Sequence, residues 1–124
     1  MVKPKSRGFT LVELLVVLSI IALLLSLAAP RYFRHIDRSR EAVLRENLAT
    51  LRDALDQYHA DKGRWPDTLE ILATDRYLRA VPTDPITGQA DTWRTLPGEE
   101  GSGVRDVKSG AEGQGADGRP YAEW

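Results

Sequence analysis

Glu13 is the single charged side chain between Phe9 and Ala29, a run of 21 residues. A carboxylate at mid-depth in hydrocarbon costs ~2.5–3.5 kcal/mol, so it calls for a cationic partner or a functional use, unless it rests at headgroup level with none. A second set of oxygen donors lies in residues 106–118, where Asp106, Ser109, Glu112 and Asp117 are interspersed with glycines. Carboxylates on a glycine-permitted loop suit Ca²⁺, which takes about 6–8 oxygen ligands in flexible geometry. The same composition also describes an acidic surface loop whose glycines make turns, and it lacks EF-hand spacing. The other candidates do not combine. His35 and His59 are 24 residues apart on one predicted helix, roughly 36 Å at ~1.5 Å per residue, too far for one metal site in one subunit. Ser109 and Asp106 have no spacing to either histidine that suggests a nucleophile with its base, and there is no phosphate loop, HExxH or DxDxDG. The absence of cysteine excludes disulfides, Cys-ligated zinc and thiol chemistry. A net charge of −1 and a pI near 6.1 argue against nucleic acid as a partner. An enzyme or binding module tethered to a membrane finds no site residues here.

The elements that must position these groups begin with a basic leader, in which Lys3, Lys5 and Arg7 stand without an acid before Phe9. Positive charge ahead of an apolar helix keeps the amino terminus on the cytoplasmic side. Twenty-one helical residues span roughly 31 Å, the thickness of the hydrocarbon core. A cleaved secretory signal ending at Ser26-Leu27-Ala28 is the rival reading, but it leaves Glu13 unexplained. Pro30 ends the run and predicts a bent or locally melted segment. Residues 31–62 then read as a polar helix with one apolar stripe, Leu44, Leu48, Leu51, Leu55 and Tyr58, extended by Val43 and Ile36. That stripe reads as a core face rather than an oligomer seam. Glu41 falls among charges of both signs, with Asp37 and Arg45, that read mostly as a solvated face.

Lys5-Ser6-Arg7-Gly8-Phe9-Thr10-Leu11-Val12-Glu13, the apolar run behind it and Pro30 resemble the class III signal of type IV pilins and type II secretion pseudopilins. The resemblance implies that prepilin peptidase cuts between Gly8 and Phe9 and methylates the new amino terminus at Phe9. It also implies that Glu13 and Pro30 serve assembly. Cutting before the apolar run leaves the mature protein anchored, and loss of the three leader cations takes the net charge from −1 to −4. A cationic amino terminus on one subunit can then pair with Glu13 of its neighbour in an apolar bundle and set axial register.

Gly63 caps the long helix at Asp61-Lys62, and a short helix is predicted over Asp67–Leu72. Tyr58, Asp61, Gly63, Trp65 and Pro66 resemble the segment that follows the long helix of the major pseudopilin, with Trp65 as an aromatic lid. Val81-Pro82-Thr83-Asp84-Pro85 resembles a turn of the same family. Strands are predicted over Asp91–Leu96 and Gly103–Lys108, joined by a glycine-rich turn, with a last strand near Tyr121–Trp124. In the tail, Ser109, Glu112, Asp117 and Trp124 match parts of the family's calcium loop, which implies Ca²⁺ at Ser109, Glu112 and Asp117, although the first acid is Glu and the loop is shorter.

The expected fold is α+β and pilin-like: leader 1–8, membrane and filament-core helix 9–30, amphipathic helix 31–62, and a small antiparallel β head over 63–124. The resemblance implies a non-enzymatic subunit of the type II secretion pseudopilus, anchored in the bacterial inner membrane with its head in the periplasm. Its implied partners are its own copies, minor pseudopilins, prepilin peptidase, an inner-membrane assembly platform with its ATPase, and the outer-membrane secretin. The alternative is a type IV pilin or a minor pilin of a pilus or DNA-uptake machine. The chain is short for a pilin and lacks the paired cysteines that commonly staple one.

Overall fold

The computed structural model describes residues 8–124; the leader residues Lys3, Lys5 and Arg7 lie outside them. The chain divides into two compact units, the first running up to Ile36 and the second from Asp37 to Trp124. Helix α1, Leu11–Lys62, passes from the first into the second. Its start is fixed by Thr10, whose Oγ1 accepts the Glu13 N–H at 3.1 Å, the N-cap bond that satisfies one of the free donors of a first turn. Its end is Gly63, at φ +70°, where the N–H donates to the His59 carbonyl at 2.8 Å.

In the first unit the apolar side chains face outward all round, from Leu11 at 74% exposure to Leu27 at 64%. The two hydroxyls in this stretch bond back to their own helix, Ser19 to the Leu15 carbonyl and Ser26 to the Leu23 carbonyl, both at 2.7 Å. No polar side-chain hydrogen is therefore left facing an apolar surround. The helix is continuous through Pro30, so the predicted melted segment is absent from the single chain. A proline deletes one N–H donor, and the hydrogen bonds on either side carry the helix past it.

In the second unit the apolar stripe is buried: Leu44, Leu51 and Leu55 are fully inaccessible, and Leu48 and Tyr58 nearly so. Val43 does not extend it, at 45% exposure, because it lies one residue, about 100°, away from Leu44 on the helix. The stripe packs with Leu72 of α2 (Leu69–Thr74), Trp93, Val107 and Trp124. Each fully buried leucine contributes about 1.5–3 kcal/mol. Leu51→Ala is accordingly expected to lower unfolding free energy by about 2–5 kcal/mol in urea titrations, the spread reflecting how far the site collapses.

The sheet has two antiparallel strands, β1 (Arg94–Pro97) and β2 (Val104–Lys108). Register passes from Leu96↔Asp106 to Pro97↔Val104, a bulge that leaves Arg105 as the extra residue. Val104 and Val107, three apart, could not both face inward in a regular strand; the bulge turns both into the core. The turn between the strands folds against Trp65. At Gly103, with φ +72°, a Cβ would stand 2.8 Å from the Trp65 Cβ, so both the backbone and the close approach require glycine. Trp65 itself stacks on His59 at 4.0 Å rather than lying deep in the core. The predicted third strand is instead a 3₁₀ turn, Tyr121–Glu123. Tyr121 and Trp124 are both buried three residues apart, a spacing that suits a helical turn and not a pleat.

Near the end of α1 the Tyr77 hydroxyl donates to Asp61 Oδ2 at 2.8 Å. That bond, with some burial and the charge of Asp61, pushes the Tyr77 pKa up to about 12. The folded protein therefore keeps a proton that the unfolded chain releases from about pH 10. Stability contributed by this bond is complete below pH 10 and is lost as pH rises toward about 12. Urea midpoints measured between pH 8 and 12 should fall across that window, and Tyr77→Phe should flatten the fall.

Candidate functional site

The residues of the expected cleavage position lie ahead of α1. Gly8, Phe9 and Thr10 are outside any helix or strand and exposed, with Phe9 at 83%. Glu13 follows in the first turn of α1. Its backbone N–H is held by Thr10, and its carboxylate is exposed with no hydrogen-bond or ion-pair partner among the described residues. One unpaired acid thus stands at the head of an outward-facing apolar surface. Thr10 was legible as an N-cap from its position three residues before Glu13, a spacing the sequence reading did not use.

The acidic tail is organised differently from its predicted calcium loop. Ser109 is fully buried, and its hydroxyl donates to Asp84 Oδ2 at 2.6 Å while accepting the Ala111 N–H at 3.1 Å. Asp117 uses Oδ1 to accept the Arg119 N–H at 3.0 Å and faces Arg45 with Oδ2 at 4.0 Å. Glu112 is exposed. No hydrogen bond links any two of these three residues, and among the described residues no group of three or more His, Asp or Glu is placed to hold a metal ion. Ser109, Glu112 and Asp117 are not gathered into one donor set for calcium in this arrangement: Ser109 is buried against Asp84, Asp117 faces Arg45 and Glu112 is exposed.

Asp84, Arg52 and Glu41, none of them an expected site residue, hold the tail and the turn before the sheet. Asp84 is fully buried; besides Ser109 it accepts the Ile86 N–H on Oδ1 at 2.8 Å. Arg52 on α1 donates to Asp106 Oδ1 at 3.0 Å, to the Val107 carbonyl at 3.0 Å and to the Trp124 main-chain oxygen at 2.8 Å. Glu41, also on α1, accepts the Ala116 N–H at 2.8 Å and the Tyr121 hydroxyl at 3.1 Å on one oxygen. Burial first, and then the bond to Glu41, raise the Tyr121 pKa. Arg45 lies over the Trp124 ring at 4.6 Å, a cation–π contact that closes the group.

Residues 3–29 match the prokaryotic N-terminal methylation motif. The type II secretion system core protein G of Klebsiella michiganensis is 32% identical over 127 residues, covering 90% of this chain and 87% of the relative. The protein of the same name from Vibrio cholerae is 30% identical over 134 residues, covering 91% and 90%. Fimbrial protein EcpC of Eikenella corrodens is 36% identical over 66 residues, which is 53% of this chain and 43% of that protein. No solved structure matches. An outward-facing apolar helix behind a methylation motif, continued into a small α+β head, defines a pilin-like subunit. The two secretion proteins are matched over 90% and 91% of this chain, the fimbrial protein over 53%. The chain belongs to the family of type II secretion system core protein G, the major pseudopilins.

Proposed function

We propose that this chain is a structural, non-enzymatic subunit of the type II secretion pseudopilus, polymerising through α1 into a periplasmic filament that helps export folded proteins across the outer membrane. The observation that carries this reading is the first unit of the fold. Its apolar residues are exposed on every side, its mean hydropathy reaches 2.8, and one acid stands at its head. Such a surface is satisfied first by lipid and then by neighbouring copies of itself. The leader cations orient the helix with its head on the periplasmic side of the inner membrane. Prepilin peptidase cuts between Gly8 and Phe9 and methylates Phe9. An inner-membrane platform with its ATPase extends the filament toward the outer-membrane secretin, and minor pseudopilins complete it.

Intact-mass analysis of the protein purified from membranes tests the first step. The expected mature chain begins at Phe9 and carries one added methyl group. Retention of Met1, or a new terminus near Ala29, overturns the reading, since either would leave the helix end chemically wrong for assembly or remove the anchor.

A further inference from the structure

We propose that the Glu41 carboxylate is the anchor that closes the 113–118 loop onto α1, and that it does so without a bound cation. The loop is knitted internally by its own backbone, with Gly115 N–H donating to the Arg119 carbonyl at 2.9 Å and Tyr121 N–H to the Gly113 carbonyl at 3.1 Å. Its hydrogen bonds to the helix go to Glu41, only 8% exposed, whose Oε1 receives one backbone N–H and one phenolic O–H from the tail. A site for a hard cation needs oxygens converging on one point. Here hydrogen-bearing groups converge on a carboxylate, and the electrostatics has the opposite sign. The indole N–H of Trp124, buried and without a partner among the described residues, belongs to the ring that abuts Gly115. A Cβ on Gly115 would collide with that ring and stand 3.3 Å from Glu41 Oε1, so this glycine lets the loop come down onto the carboxylate. The loop's own acid, Asp117, faces the guanidinium of Arg45, itself seated over Trp124. Protein donors and a protein cation are thus the partners of the acids at this loop.

The full-length protein in detergent micelles tests this through thermal unfolding with calcium or chelator and through hydrogen exchange at the Ala116 amide. A cation held by the loop would raise the midpoint by roughly 10–20 °C at a hundredfold excess over its dissociation constant. The expected shift between calcium and chelator is below about 1 °C, within the effect of a negligible binding term. Glu41→Ala is expected to speed Ala116 exchange by about a hundredfold while leaving the Leu51 amide protected, since a lost hydrogen bond to a charged group opens the loop locally. Should Glu41→Ala fail to fold, Glu41→Gln keeps an acceptor of the same shape. It is expected to speed exchange by about tenfold, a neutral bond being weaker than a charge-assisted one. A calcium-dependent rise in midpoint, calcium rescue of either variant, or unchanged Ala116 protection in both variants overturns the proposal. None of these readouts requires filament formation, so they stand apart from the test of processing and assembly.

Discussion

Asp84→Ala is expected to lower the unfolding free energy of the head by about 3–5 kcal/mol, enough to leave much of the population unfolded at 37 °C. Its carboxylate is fully buried between the Ser109 hydroxyl at 2.6 Å and the Ile86 N–H at 2.8 Å, with the Thr87 N–H further off at 3.4 Å. Alanine removes the acceptor and leaves those donors in a space water reaches poorly. Each stranded donor costs about 1–3 kcal/mol, and the void adds to it. A small domain holds only about 5–15 kcal/mol in total, so the loss is a large share. Thermal midpoints should fall by roughly 12–40 °C at about 4–8 °C per kcal/mol. Asp84→Asn preserves the shape and the acceptor for Ile86. It replaces an ionised acceptor by an amide opposite Ser109, so a smaller loss of about 1–2 kcal/mol is expected. A double-mutant cycle with Ser109→Ala should show coupling of about 1 kcal/mol or more, since the two side chains touch. An Asp84→Ala protein within 1 kcal/mol of wild type would contradict the assignment of this carboxylate as the pin of the turn.

Asp84 also shows where the sequence stops being readable. Pro82 and Pro85 around it marked a turn, and the turn is there. Yet nothing local indicates that the acid points inward to a serine 25 positions later, because that pairing is decided by how β2 and the tail pack. Glu41 is the opposite case. Extending the stripe Leu44, Leu48, Leu51, Leu55, Tyr58 backwards by three residues lands on Glu41, so its burial was implied by the same 3.6-residue period that located the leucines. Residue type outweighed position, and the acid was assigned to the solvated face. The long helix, its cap at Gly63 and the two strands were legible because each rests on local periodicity or on a glycine with φ above zero. The end of the chain was not. Tyr121 and Trp124 read as a strand by composition, and their burial at a spacing of three is set by Glu41 and Arg52, which come from a distant part of the sequence. In the tail, oxygen-bearing side chains suggested metal; in the fold Ser109 donates to Asp84 and Asp117 accepts the Arg119 N–H.

Glu13→Val is expected to abolish filament formation while leaving membrane insertion and the folded head unchanged. In the single chain the carboxylate sits exposed in the first turn of α1, its N–H held by Thr10 at 3.1 Å and its charge unmatched among the described residues. Valine relieves the penalty of an acid in hydrocarbon, ~2.5–3.5 kcal/mol at mid-depth and less near the interface, so the variant monomer should accumulate in the membrane at least as well as wild type. Within an apolar bundle the balance reverses. With the proposed processing, the cationic amino terminus at Phe9 of one subunit, left facing valine in the next, becomes a charge buried without a partner, at about 3–5 kcal/mol per contact. At tenfold per 1.4 kcal/mol, that weakens each subunit addition by about a hundredfold or more, and the deficit repeats along the polymer. Glu13→Gln retains a hydrogen-bond acceptor without the charge and should give a reduced yield of filaments, placing it between wild type and valine. Because the head begins at Asp37 as a separate unit, its thermal midpoint should be the same in all three proteins. Sheared filament yield, compared with monomer abundance in membranes, separates the two effects. Wild-type yield from Glu13→Val would mean that apolar packing alone sets the axial register and that the acid has no part in it.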